Sequence, residues 1–152
     1  MAFPRNRGVS DSAHELERRV EDLQGSLAQT ITIGGLYGET RRSIAAASKW
    51  AEINNWDGYG AKPVDPESCL NALLFSKLLP MGVPIPEIEV DTEGEIRFEW
   101  YRSPRQILSV AVGGDGELAY AGLFGASKIH GTEYLIDELP NVILDNINRV
   151  YS

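Results

Sequence analysis

The most reactive-looking stretch of the chain is His130-Gly131-Thr132-Glu133, where an imidazole stands beside a hydroxyl and a carboxylate. A histidine acting as base for such a hydroxyl needs a third group to orient it. No Gly-x-Ser-x-Gly elbow accompanies the tetrad, and the plain alternative is an ordinary structural hydrogen bond. The acids Glu87, Glu89, Asp91, Glu93, Glu95 and Glu99 are dense enough to evoke a metal-dependent nuclease. Such a site wants acids on adjoining strands and a lysine or other base to activate water. No lysine follows in this stretch, and alternation turns Glu95 and Glu99 to solvent. Gly34-Gly35-Leu36-Tyr37-Gly38-Glu39-Thr40 sits where a phosphate loop would, but Glu39 stands where the phosphates need a lysine, so a turn is expected. Cys69 is the single cysteine, which excludes an intramolecular disulfide and an all-cysteine metal site. Its neighbours Leu70, Leu73 and Leu74 mark it as a small core residue. The two histidines, His14 and His130, show no zinc spacing to one another or to the acids. Neither a metal nor a cofactor is expected.

These groups must be positioned by a short series of elements. Residues 1–11 hold Pro4 and Gly8 without periodicity and read as a disordered tip. Ser12 with Glu15 forms a capping-box pattern. Ala13, Leu16, Val20, Leu23 and Leu27 then make one apolar stripe on a helix over 12–28. Residues 30–38 read as an extended piece ending in a glycine turn. A second helix is expected from Thr40 to Ile53, with Ile44, Ala47, Trp50 and Ala51 toward one side. Trp56 to Pro63 is turn-rich, and a third helix fits Pro66 to Leu79, with proline in its first turn. Pro80, Gly82, Pro84 and Pro86 enforce an extended linker.

From Glu87 the pattern has period two. Ile88 and Val90 alternate with acids, and Ile96, Phe98 and Trp100 alternate with Glu95, Arg97, Glu99 and Tyr101. Further strands are expected at 107–112 and 118–124, joined by the hairpin signal Gly113-Gly114-Asp115-Gly116, and 129–136 is a candidate for a fourth or fifth strand. The small residues Ser109, Ala111, Ala119 and Ala121 are expected to lie under a helix. Pro140 opens a last helix with Ile143, Leu144, Ile147 and Val150 inward. This order implies an α+β fold: an antiparallel meander of about four strands packed by helices, over residues 54–152, preceded by a helical extension over 12–53.

Of the 152 residues, 1–55 carry no net charge and 56–152 carry all eight excess negatives. Such a surface disfavours nucleic acid, whose affinity comes from Lys and Arg displacing counterions, and suits a basic protein partner. The longest apolar runs, such as Leu73-Leu74-Phe75, are far too short to cross a bilayer, and no apolar run follows the basic N-terminus. A cytoplasmic protein without a membrane partner is expected, with a weak homodimer seam at residues 12–28.

The aromatic residues Trp56, Tyr59, Trp100, Tyr101, Tyr120 and Phe124 are mostly expected in the core, while any left exposed beside acids would make a binding hot spot. Asn55-Trp56-Asp57-Gly58-Tyr59-Gly60-Ala61, Leu78-Leu79-Pro80, Gly94-Glu95-Ile96, Phe98-Glu99-Trp100, Leu108-Ser109-Val110, Tyr120-Ala121-Gly122-Leu123-Phe124-Gly125 and His130-Gly131-Thr132-Glu133 come in this order. Together they resemble a family of small bacterial proteins over residues 55–152. No activity is attached to that family, so the resemblance implies no catalytic residue. It implies a bacterial origin and a region shared by 56–61, Glu99 and 130–133. The expected function is a non-enzymatic acidic module that docks on, and neutralises, another protein through Trp56, Asp57, Tyr59, Glu99, Tyr101, His130 and Glu133. The alternative is a small hydrolase or metal-dependent nuclease using His130 with Asp57, Glu99 or Glu133.

Overall fold

The computed structural model describes residues 15–22 and 35–152. The tip at 1–11, the capping serine and the extended piece at 30–34 lie outside them. Helix α1, described over 15–22, turns Leu16 (8% exposed) and Val20 onto the core and keeps its charged residues in water. This is what a stripe at spacing four dictates.

Helix α2 runs Gly35–Trp50, five residues earlier than the periodicity implies. The glycine turn expected at 35–38 is therefore helical. The reason is a stripe that continues backward, since Leu36, Thr40, Ile44 and Ala47 recur at helical spacing and face the core. Thr40, fully buried, satisfies its hydroxyl by donating to Leu36 O at 2.7 Å. Trp50 falls six residues after Ile44, off the stripe, and is 75% exposed rather than inward.

Helix α3 spans Pro66–Leu78. Asp65 caps it by accepting from Glu67 N–H at 3.1 Å, and Pro66 fills a first-turn place where no amide hydrogen is needed. Helix α4, Asn141–Val150, buries Ile143, Asn146, Ile147 and Val150.

The sheet is a pure antiparallel meander, β1 (Glu87–Val90), β2 (Ile96–Ser103), β3 (Gln106–Val112), β4 (Glu117–Phe124) and β5 (Ser127–Tyr134), in that spatial order. It has five strands where about four were expected, because the 129–136 segment joins it, two residues earlier. One face carries Ile96, Phe98, Trp100, Leu108, Val110, Val112 and Leu118, all fully buried in one cluster with Ile44, Phe75, Ile143 and Ile147. Phe75 meets Phe98 edge-on with ring centroids 4.7 Å apart.

The helices pack on this large-residue face, not on the small-residue face as expected. Burying a leucine or valine stabilises by about 1.5–3 kcal/mol, and alanine has far less surface to bury. Ser109, Ala111, Ala119 and Ala121 consequently lie on the uncovered face, where Ala119 and Ala121 are exposed. Among the described residues no helix is long and apolar enough to cross a membrane.

Candidate functional site

Strand register places the singled-out residues directly. Glu87 pairs with Glu99, Glu99 with Ser109, Ser109 with Ala121, and Ala121 with His130. Directly opposed residues share a face, so these five make one row across the uncovered face. Tyr101 lies on the same face beyond Glu99 and is 49% exposed. Glu133 pairs with Leu118 and so belongs to the opposite, helix-bearing face. Alternation along β5 separates it from His130.

His130 is exposed and borders a depression of about 400 Å³ lined also by Ile107, Ser109, Ala121, Leu123 and Lys128. No carboxylate lines it. Glu99, in the same row, is three strands away, about 14 Å at ordinary strand spacing. Asp57 is on a loop before α3, and Glu133 is on the other face. The structure therefore does not assemble an imidazole with acids within reach of a common proton. The sequence reading had His130 held by a hydrogen bond, whereas the side chain has no such partner among the described residues.

The glycine of the same tetrad has a packing role. A Cβ on Gly131 would overlap the hydroxyl of Tyr120, its cross-strand partner. The Tyr120 ring thus lies over the bare backbone of Gly131, a pairing that compensates a strand glycine near a sheet edge. Gly122 leaves the same kind of room for Phe124, whose ring in turn carries the Arg149 guanidinium at 4.4 Å. Much of the Tyr-Ala-Gly-Leu-Phe-Gly and His-Gly-Thr-Glu pattern is explained by these contacts.

Trp56, Asp57 and Tyr59 lie on a tightly bonded loop. Asp57 Oδ1 accepts from Tyr59 N–H at 2.8 Å and from Ala61 N–H at 3.0 Å. These two backbone donors hold the carboxyl below the usual aspartate range, so it serves as an ionised acceptor and not as a proton donor. Asn55, in the left-handed region at φ 58°, accepts from Gly60 N–H at 2.5 Å through its own side chain. Trp56 donates from Nε1 to Lys62 O at 2.8 Å, and Lys62 N–H reaches Thr92 O at 2.9 Å, which ties the loop to the end of β1. Lys62 also pairs with Glu93. The fixed loop leaves Tyr59 95% exposed, with Ile53 at 68% nearby in sequence.

Two features escaped the sequence reading. Trp50, Trp56, Ala47, Ala51 and Ile88 line a cleft of about 270 Å³ along β1. The sequence signal available was Trp50 lying off its helix stripe. Glu95 meets Asp65, Asp91, Asp115 and Glu117 at one end of the sheet. Its carboxyl is pushed above the usual glutamate range, first by burial and then by these four negative charges. Among the described residues no group of three or more His, Cys, Asp or Glu is arranged to hold a metal ion. Cys69, raised by burial and in contact with Ser48 Oγ at 3.1 Å, is an inert packing thiol. Compared with protein-family models, with curated proteins and with solved structures, the chain matches none of them.

Proposed function

We propose that this protein is a non-enzymatic acidic module that docks on another protein, and neutralises it, through the uncovered face of its sheet. The observation that carries the reading is that, among the described residues, helices cover one face only. A frame of five hydrogen-bonded strands then presents Glu87, Glu89, Glu99, Tyr101, Ile107 and Leu123 together on the other. Small side chains at Ser109, Ala111, Ala119 and Ala121 leave the middle of that face low, so a partner surface can approach its backbone. An exposed tyrosine beside apolar ground suits a hot spot, and the acids around it complement the charge of a basic partner. The same acids repel a phosphate backbone, which keeps nucleic acid out of the reading. No observation favours the hydrolase or nuclease alternative, because no carboxylate lines the depression beside His130. A homodimer through residues 12–28 would have to compete with the contacts that Leu16 and Val20 make to the chain's own core.

The test is capture of partners from the source cell by the wild-type chain and by Ala121→Arg. Residue 121 is exposed, so the arginine blocks the face without touching the core. Loss of a specific captured partner from the variant is the expected result. An identical set of captured proteins would refute the reading.

A further inference from the structure

We propose that the free edge of β1, with the indole-lined cleft beside it, binds an extended segment of a partner protein in which one apolar residue is flanked by lysine or arginine. The inference rests on the protein-docking reading and adds its recognition chemistry. Among the described residues β1 pairs with β2 alone. Asp91 N–H donates to Glu95 O at 2.9 Å, which fixes the phase of the β1–β2 ladder. Hydrogen-bonded and non-bonded pairs alternate in an antiparallel ladder. Glu87 and Glu89 therefore direct their backbone groups to β2, while the N–H and C=O of Ile88 and Val90 point out of the sheet. Among the described residues no protein group bonds these outward groups.

The cleft is lined by Ile88, Glu89 and Val90 of this same edge strand together with Trp50 and Trp56. An edge strand beside a helix end supplies both needs of strand addition: main-chain partners for affinity and a pocket for every second side chain.

Alternation then specifies the ligand. The residue of the added strand on the face of Ile88 meets two indoles and the alanines at 47 and 51, so it is apolar. Its neighbours on either side fall on the uncovered face with Glu87 and Glu89. Glu87 stands directly opposite Glu99, and among the described residues no cation pairs with either one, whereas Glu89 has Arg97 at 3.3 Å. Like charges directly opposed across a ladder repel. A lysine or arginine beside Glu87 relieves that repulsion, which gives a basic–apolar–basic order.

The test uses the full chain and two synthetic heptapeptides with blocked ends, Thr-Lys-Val-Lys-Val-Lys-Thr and the same sequence with Glu for every Lys. Tryptophan emission reports binding, and hydrogen exchange at Ile88 reports its place. The lysine peptide is expected to shift the emission, slow exchange at Ile88 and bind at least about tenfold more tightly than the glutamate peptide. Trp50→Ala is expected to weaken binding at least about tenfold with the melting temperature unchanged, since that ring is largely in water. Glu87→Lys is expected to reduce the preference for the lysine peptide. Equal affinity for both peptides, no binding up to millimolar concentration, or protection of β5 in place of Ile88 would each overturn the inference. Protection of Ile88 that rises with protein concentration alone would assign the edge to a second copy and also overturn it. If the peptides fail while Ala121→Arg still abolishes capture, the edge inference falls and the docking reading stands. Capture indifferent to Ala121→Arg overturns the docking reading itself.

Discussion

Ser68 is the side chain on which the α3–sheet junction turns, and Ser68→Ala measures how firmly the sheet is held. It is fully buried. Its hydroxyl donates to Val112 O at 2.5 Å and accepts from Ile96 N–H at 2.8 Å, joining α3 to the start of β2 and the end of β3. Alanine fits the space but removes both bonds. The carbonyl of Val112 has a second lone pair and tolerates the loss. The buried N–H of Ile96 loses its hydroxyl acceptor, at a cost of about 1–3 kcal/mol for an unsatisfied group. Together with the lost donor bond, a destabilisation of about 2 kcal/mol is expected. At this chain length that lowers the melting temperature by roughly 4–8 °C. Urea denaturation of wild type and variant reads the difference directly, as a lower midpoint with unchanged slope. Exchange at the Ile96 amide should accelerate beyond what the global loss accounts for. A variant within about 0.5 kcal/mol of wild type would refute the reasoning, because it would mean that water or the ladder satisfies Ile96 without Ser68.

His130→Ala should change stability by no more than about 0.5 kcal/mol, since the ring is exposed; a larger loss in denaturant melts would show a partner that the structure lacks. Gly131→Ala should destabilise by about 1–3 kcal/mol, because its Cβ would overlap the Tyr120 ring. That cost should shrink in a Tyr120→Ala background, and a double-mutant cycle without coupling would reject the contact. For Glu95 the raised carboxyl means that the folded chain binds a proton more readily than the unfolded chain does. The stability it affects therefore falls as pH rises from the ordinary glutamate range through the raised value, and returns on acidification. Glu95→Gln should accordingly be more stable than wild type at neutral pH, by about a few tenths of a kcal/mol given solvent screening. The advantage should vanish as pH falls below the carboxylate range. A pH-independent difference between the two melting curves would count against repulsion as its source.

Period-two alternation from Glu87 to Tyr101 by itself determined β1 and β2, because residues that alternate apolar and polar can satisfy only a strand with one face buried. Proline at 66 and 140 likewise located the starts of α3 and α4, and the structure adds Asp65 as the cap of the first. The α+β class and the meander follow from these local constraints together with the tight glycine turn before β4. The beginning of α2 was less legible, since its glycines argue for a turn when read alone. Only burial of Leu36 and Thr40 against the rest of the core outweighs that local preference. Which face of β3 and β4 takes the helices was also poorly legible locally, because past Glu117 neither alternating set carries a charge. The tertiary structure chose the larger side chains, whose burial releases more water-exposed apolar area.

The candidate site was partly legible in the same sense. Alternation put Glu99 and Tyr101 on one face of β2, and composition made the surface acidic. That Glu99 shares a row with Ser109, Ala121 and His130 depends on three strand registers, and register is fixed by long-range pairing and turn geometry rather than by any one segment. The cleft beside β1 needed still more. Trp50, Trp56 and Ile88 come from a helix, a loop and an edge strand, and only the packing of α2 against β1 brings them to one place.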